Sequence, residues 1–318
     1  MRPFYILSIN GGGVRGLIVM AFLRKMEAFL KEKNPDFKIH DFFDMYAGTS
    51  IGALIVTEFL VQKKTPDNII TFFNENMNRI MVKDVWDKIF GKFQTQPMYS
   101  GEVKAQTLKE TFGEHKFADF APKPVIVTAY DIGRRTVRIF NSLKVCPELL
   151  TREVVDASSA APCYYPCVYV KNCNDKKDDV VDNSWFLDGG LYANNPTMCA
   201  LMEIKEYLPA NRTIIVLNIG TGYRLPGVNG WKAQNYGAYQ WAMEGVLTVP
   251  DSSHIVNQYT KLYIGEENYI NIDGDLPENV SDAADDNSPA NVKYLNSIGE
   301  HWWELNKEKF NNFFVKLV

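Results

Sequence analysis

Apolar positions along the chain fall into two patterns, unbroken runs and runs that repeat every three or four residues. Phe4 to Ile9 is a nearly unbroken run that ends on glycines, as a fully buried strand does. The segment after those glycines places Val19, Phe22, Leu23, Met26, Phe29 and Leu30 at the spacing of an amphipathic helix face. Asp44 to Ala47 predicts a short strand, and Ile51 to Val61 a helix that is apolar nearly all round and therefore buried. Pro66 to Lys92 reads as helical, and Gly101 to Phe112 adds another helix. Strands return at Pro124 to Tyr130 and Thr136 to Phe140. Thr151 can cap a short helix that ends in Ala157-Ser158-Ser159-Ala160-Ala161-Pro162. Ser184 to Leu187 is a strand stopped by Asp188-Gly189-Gly190. Asn195 then suits an N-cap and Pro196 the first helical position. Thr213 to Ile219 is one more buried strand closed by glycines. Strands alternating with helices predict an α/β fold, a mostly parallel central sheet covered by helices on both faces.

No internal repeat is visible. Asp273 to Asn291 is acidic and rich in Asp, Asn, Ser and Pro, which predicts a solvated loop, and Asn174 to Asp182 is a second charged insertion. Neither reads as a linker, because elements of one sheet lie on both sides. The expectation is one domain over 1–318, with a helical lid-like insertion around 66–112 and a helical C-terminal segment around 292–318. Met81 to Phe93 carries Val82, Val85, Trp86, Ile89, Phe90 and Phe93 at helical spacing, interleaved with Lys83, Lys88 and Lys92. That pattern fits a core-packing helix or a lipid-facing interfacial one, and packing is the plainer reading. His301 to Val318, with Trp302, Trp303, Phe310, Phe313 and Phe314, offers the same choice.

A hydrophobic content of 46% over 318 residues supplies a sizeable core and argues against wholesale disorder. The formal net charge of -4 and the lack of a dense basic run argue against nucleic acid as a partner. So small a charge leaves a membrane surface open as a partner, because a local patch suffices. The longest apolar run, Leu17 to Leu23, is too short to span a bilayer, and Arg2 followed directly by a strand does not read as a signal peptide. Cys146, Cys163, Cys167, Cys173 and Cys199 make an odd set, most simply reduced thiols in a cytoplasmic setting. Cys163, Cys167 and Cys173 cluster without the further ligand at finger-like spacing that a zinc site needs.

Two glycine-framed turns carry the candidate chemistry, each between a strand-like and a helix-like run. Gly48-Thr49-Ser50-Ile51-Gly52 frames a serine at a helix N-terminus, where flanking glycines permit a strained backbone and the dipole favours developing negative charge. A serine helix cap in a glycine-rich turn is the bland alternative. Gly11-Gly12-Gly13-Val14-Arg15-Gly16 also fits Gly-x-Gly-x-x-Gly, the dinucleotide fingerprint. The acidic residue expected to end a second strand about 20 residues later is missing, since Lys31 to Asp36 is charged rather than strand-like. Three consecutive glycines instead allow adjacent N–H groups to converge, as an oxyanion hole requires. None of His40, His115, His254 and His301 follows a buried strand in a turn, and His40 and His115 are expected to be exposed. Asp188 does occupy such a turn, although Asp-Gly alone is an ordinary turn dipeptide.

Taken jointly and in order, these segments resemble the patatin-like phospholipase family. Its Asp-Gly-Gly-Gly-x-Arg-Gly motif is matched by Asn10 to Gly16, its Gly-x-Ser-x-Gly by Gly48 to Gly52, and its Asp-Gly-Gly/Ala by Asp188 to Gly190. Ala160-Ala161-Pro162 and Asn194-Asn195-Pro196 resemble further family segments. The resemblance implies a three-layer α/β/α patatin-like fold and a Ser-Asp dyad without a catalytic histidine. Ser50 would be the nucleophile and Asp188 the base, acting on fatty acyl esters of phospholipids or galactolipids at a peripheral membrane surface, with no cofactor and no metal. Gly11, Gly12 and Gly13 would form the oxyanion hole, supported by Asn10, Arg15, Gly16 and Ile51. Asn10 departs from the family aspartate, keeping its shape without its charge. A Ser50–Asp188–His254 triad in the chain order of α/β-hydrolases and an inactive lipid-binding module are the rival readings.

Overall fold

A computed structural model describes residues 1–81, 96–171, 183–224, 230–235, 237 and 253–313. Eight strands form one sheet: β1 (Phe4–Ile9), β2 (Met45–Thr49), β3 (Val125–Asp131), β4 (Thr136–Asn141), β5 (Val168–Lys171), β6 (Asn183–Asp188), β7 (Ile214–Ile219) and β8 (Tyr269–Ile272). Among the described residues the helices of eight residues or more are α1 (Gly16–Lys31), α2 (Ile51–Val61), α3 (Pro66–Ile80), α4 (Gly101–Phe112), α5 (Thr151–Ser158), α6 (Thr197–Ile204), α7 (Ser253–Ile264) and α8 (Pro289–Phe313).

All six residues of β1 are buried, because parallel neighbours β2 and β7 cover both its edges and helices cover both its faces. The centre of the sheet, β3-β2-β1-β7-β8, is parallel throughout. Two apolar clusters flank it. The larger gathers α1, α2, α3 and α8 on one face, and the smaller gathers α6 on the other, giving the α/β/α layering the pattern predicts.

β4, β5 and β6 are antiparallel, and their register decides the site. β4 occupies one edge of β3 from Ile126 to Asp131, so β2 and β6 must share the other edge. β2 pairs with its first half, Thr49 opposite Thr128, and β6 with its end, Asp188 opposite Ala129. The last residue of β6 thus abuts the last residue of β2, bringing together segments separated by 138 positions in sequence.

Several boundaries differ from the sequence reading for identifiable reasons. The first half of α1 is buried all round, because α8 lies along its outer side and packs Trp303 edge-on against Phe22 and tilted against Phe29, with ring centres 5.6 and 5.4 Å apart. Gly299 permits this approach, since a Cβ there would overlap the Ile18 carbonyl. Trp302, Trp303 and Phe310 are therefore packing residues, while Phe314 lies outside the described residues. The Asp273 to Asn291 segment buries Leu276, Val280 and Asn291 and is not a freely solvated loop. Helix α3 ends at Ile80; most of the Met81 to Phe93 stretch and the Asn174 to Asp182 insertion lie outside the described residues. Thr151 begins α5 but does not cap it: its hydroxyl meets His115 Nδ1 at 2.8 Å, and Glu153 accepts the Leu150 N–H instead. Helix α6 begins one residue later than expected, with Pro196 rather than Asn195 at the N-cap, while Asn195 Oδ1 still accepts the Thr197 N–H at 3.0 Å.

Candidate active site

Ser50 sits between β2 and α2 with φ 56° and ψ −119°, a left-handed backbone that a serine adopts only under constraint. The constraint is crowding at the turn. A Cβ on Gly48 would overlap Gly52, and one on Gly52 would overlap the Ile9 carbonyl, so glycines are required at both positions. Ser50 Oγ donates to Asp188 Oδ2 at 2.6 Å, and the Gly190 N–H donates to Asp188 Oδ1 at 2.7 Å. Asp188 is only 6% exposed. Burial pushes its carboxyl up to about 6, against the opposing pull of the Ser50 and Gly190 hydrogen bonds and the Lys104 charge. Such a carboxylate is a stronger base than a solvated one and is still ionised at neutral pH.

The glycine loop meets Ser50 from the end of β1. Gly12 and Gly13 N–H, and Ile51 N–H at the start of α2, make no hydrogen bond among the described residues, as donors reserved for an incoming oxyanion would not. Gly11 differs from the sequence expectation. Its N–H is taken by the Asn194 carbonyl at 3.1 Å, so it is not an oxyanion donor; its lack of a Cβ admits Asn194 Oδ1 instead. The loop is held from behind by Thr221, whose hydroxyl donates to Gly11 O at 2.7 Å, and from above by the 281–285 segment. There Ala284 O accepts the Val14 N–H at 2.8 Å and Asp282 O accepts from Arg15. Arg15 thus organises the loop, and Gly16 lets α1 close on Ile51. Asn10 is buried, and its Oδ1 has no partner among the described residues. An aspartate in its place would bury an unpaired charge, a far larger penalty than an orphaned amide oxygen.

Two residues that the sequence reading passed over hold the assembly. Ser158, fully buried at the end of α5, accepts the Ser50 N–H on Oγ at 2.9 Å and donates to Thr128 O at 2.7 Å. Its own carbonyl accepts the Gly189 N–H at 3.2 Å, and Ala160 O accepts the Asp188 N–H at 2.9 Å. One short segment therefore brackets both the strained serine and the aspartate. Lys104 anchors that segment, with Nζ 3.0 Å from Asp156 Oδ1, bonded to Asp156 O, and 4.6 Å from the centre of the Tyr165 ring. The signal lay in Ala157-Ser158-Ser159-Ala160-Ala161-Pro162, but a serine's hydrogen-bond partners are not readable from its neighbours in sequence. Ser158→Ala orphans the Ser50 N–H, a loss of about 1–3 kcal/mol for a buried donor. Labelling of Ser50 by a fluorophosphonate is expected to slow by about tenfold or more, while Ser158→Thr, which keeps the hydroxyl, should recover most of the rate.

Ser50, Asp188 and the glycine loop line a cavity of about 450 Å³. Ile51, Leu54, Met77, Ile80, Leu108 and Val155 make one apolar wall, and Arg15, Arg224, Asp282 and Asp285 make a charged rim. No histidine lines it among the described residues. His254 is exposed on α7, which packs on α6, and is not among the residues that line the cavity. His40 and His115 are partly buried, contrary to expectation, and burial lowers the pKa of both. Among the described residues no group of His, Cys, Asp and Glu could hold a metal; Cys173 lies outside them.

A family model described as patatin-like phospholipase matches residues 7–201, a stretch that contains the glycine loop, the serine elbow, Ser158 and Asp188. The chain belongs to the patatin-like phospholipase family. It is 29% identical over 345 aligned positions to Patatin-like protein 2 of Oryza sativa subsp. indica, covering 93% of this chain and 82% of that one. It is 26% identical to the cGAMP-activated phospholipase of Escherichia coli (strain TW11681), covering 98% of this chain and 92% of that one. Among solved structures, VipD from Legionella pneumophila aligns over 97% of this chain and 67% of its own, with 11% identity and a TM-score of 0.46. Family membership places this patatin-like chain among lipid acyl hydrolases. No helix of the described residues is long and apolar enough to cross a membrane.

Proposed function

We propose that this chain is a phospholipase A-type acyl hydrolase that works through a Ser50–Asp188 dyad and an acyl-enzyme. The reading is carried by the 2.6 Å hydrogen bond from Ser50 Oγ to a buried carboxylate, in a cavity also lined by Gly12, Gly13 and Ile51, whose N–H groups have no partner among the described residues. Ser50 Oγ attacks the ester carbonyl carbon as its proton passes to Asp188 Oδ2. Gly12, Gly13 and Ile51 N–H groups stabilise the oxyanion, worth about 3–4 kcal/mol per donor. On collapse, Asp188 returns the proton to the departing alcohol oxygen, leaving an acyl ester on Ser50. Water then gives a proton to Asp188 and attacks that ester, releasing the fatty acid and restoring the serine. The apolar wall of the cavity suits an acyl chain, and the absence of any spanning helix among the described residues fits access from a membrane surface.

The test is a panel of phospholipid and galactolipid vesicles incubated with the wild type and Ser50→Ala, with products identified by mass. Fatty acid and lysolipid released by the wild type alone support the reading; equal release by both, or none, rejects it. His254→Ala is expected to retain activity, whereas a triad would lose nearly all of it. The pH dependence follows from Asp188. The base must be ionised, and its carboxyl is pushed up to about 6. The rate should fall as pH drops through that value and level off above it, in a kcat/KM profile.

A further inference from the structure

We propose that the outer face of the β5–β6 sheet edge is the surface by which this protein docks on an anionic lipid bilayer. The inference rests on the lipid-hydrolase reading for its purpose, but not for its test. Paired residues in a sheet point to the same face, so the register defines the surface. Tyr169 stands opposite Trp185, and the Ile132 N–H bonds the Trp185 carbonyl, which continues the row onto the end of β3. Tyr130 stands opposite Leu187 in the next row, and Tyr192 stacks on Tyr130 with ring centres 6.4 Å apart. Elsewhere on this face α6 covers the sheet, and Ile126 is buried and Ile139 partly buried. Here the large side chains remain open: Trp185 is 49% exposed, Tyr169 44%, Tyr192 69% and Ile132 36%. Several exposed aromatics in contact make a patch rather than scattered surface residues, and such patches mark interaction sites.

The position and the charge of the patch select the partner. β6 runs antiparallel to β3, so Trp185 lies three residues beyond Asp188 on the side to which the parallel strands point. At about 3.4 Å per residue, the Tyr169–Trp185–Ile132 row projects about 10 Å past the level of the nucleophile. The chain then passes from Asp188 through Gly190 and Leu191, which line the cavity, to Tyr192 in the patch. The row reaches the same end of the sheet as the cavity, though on the α6 face rather than the face where α2 and α3 wall the cavity, and at that end its aromatic side chains are placed as interfacial Trp and Tyr are in membrane proteins. Among the described residues of these strands and of the β3–β4 turn, the exposed ionic groups are Arg135 and Lys171, with Arg134 ion-paired to Asp131 at 3.0 Å. The acidic ones, Asp131 and Asp188, are buried. Tryptophan and tyrosine rimmed by arginine and lysine complement an anionic bilayer, whose surface potential attracts such cations.

The experiment measures partition, not turnover. Full-length protein is sedimented with vesicles of phosphatidylcholine with and without phosphatidylglycerol. The doubly substituted Trp185→Ser/Tyr169→Ser is expected to bind the anionic vesicles at least about tenfold more weakly than the wild type. Arg135→Glu should do the same only on the anionic vesicles and only at low salt. Tyr259→Ser/Leu262→Ser, which alters exposed apolar residues on α7, serves as the control and should bind like the wild type. The proposal is overturned if the β-face variant sediments like the wild type, or if the α7 variant is the one that loses binding. It is also overturned if the wild type does not sediment with either vesicle. Binding through this face by a protein that hydrolyses no lipid would leave the docking surface standing and reject the proposed activity, so the two failures are separable.

Discussion

Asp188→Asn is expected to lower lipid hydrolysis by about 10³- to 10⁴-fold and at the same time to raise the melting temperature at pH 7. The first effect follows because the amide cannot take the Ser50 proton, although its shape and its bond to the Gly190 N–H are kept. The second follows from linkage. With its carboxyl pushed up to about 6, the native state holds a proton that the unfolded chain has already lost between about pH 4 and 6. Stability therefore falls as pH rises through that window, and the ionised aspartate lowers it by about 2–3 kcal/mol at neutral pH. A neutral amide escapes this penalty, so the variant should melt a few degrees higher at pH 7, with the gain fading toward pH 4. Scanning calorimetry at the two pH values checks the sign. A variant less stable at pH 7, or still active, would mean that Asp188 is not a buried base.

Gly13→Ala should lower kcat by about 10²- to 10³-fold with little change in KM. Gly13 adopts φ 59°, and a Cβ there would overlap the Ala284 carbonyl, which also holds the Val14 N–H. The methyl both strains the loop and pushes away the segment that fixes it, so the Gly12 and Gly13 N–H groups turn from the oxyanion they are proposed to hold. A left-handed backbone at a non-glycine residue adds about 1–2 kcal/mol of destabilisation, visible as a lower melting temperature. Substrate binding at the apolar wall is untouched, which is why the loss should appear in kcat. A proportional rise in KM instead would place these glycines in substrate binding.

Much of this molecule was legible in its sequence because the signals are local. The unbroken run of β1 and the all-apolar α2 depend on residues within a few positions of one another. The two glycine turns and Asp188 were legible for the same reason: glycine is required wherever backbones crowd, as at Gly48 and Gly52, whatever the crowding partner. What failed was what depends on distant partners. Gly11 looked identical to Gly12 and Gly13, yet the Asn194 carbonyl takes its N–H. Thr151 looked like a cap, yet His115 claims its hydroxyl. β8 and α7 are short or mixed in pattern and acquire their meaning from β7 and α6. The acidic 273–291 stretch reads as solvated until Leu276 and Val280 are seen to be buried.

By itself the sequence determined which elements form, which turns carry glycine and which hydroxyl and carboxylate could react, since propensity, periodicity and backbone crowding act over short spans. Only the tertiary structure decided that Ser50 and Asp188 meet, which donors remain free, and that Ser158 brackets the pair. Those facts follow from an antiparallel strand sharing one edge of β3 with β2, a pairing settled by cross-strand register and burial rather than by any residue's neighbours along the chain.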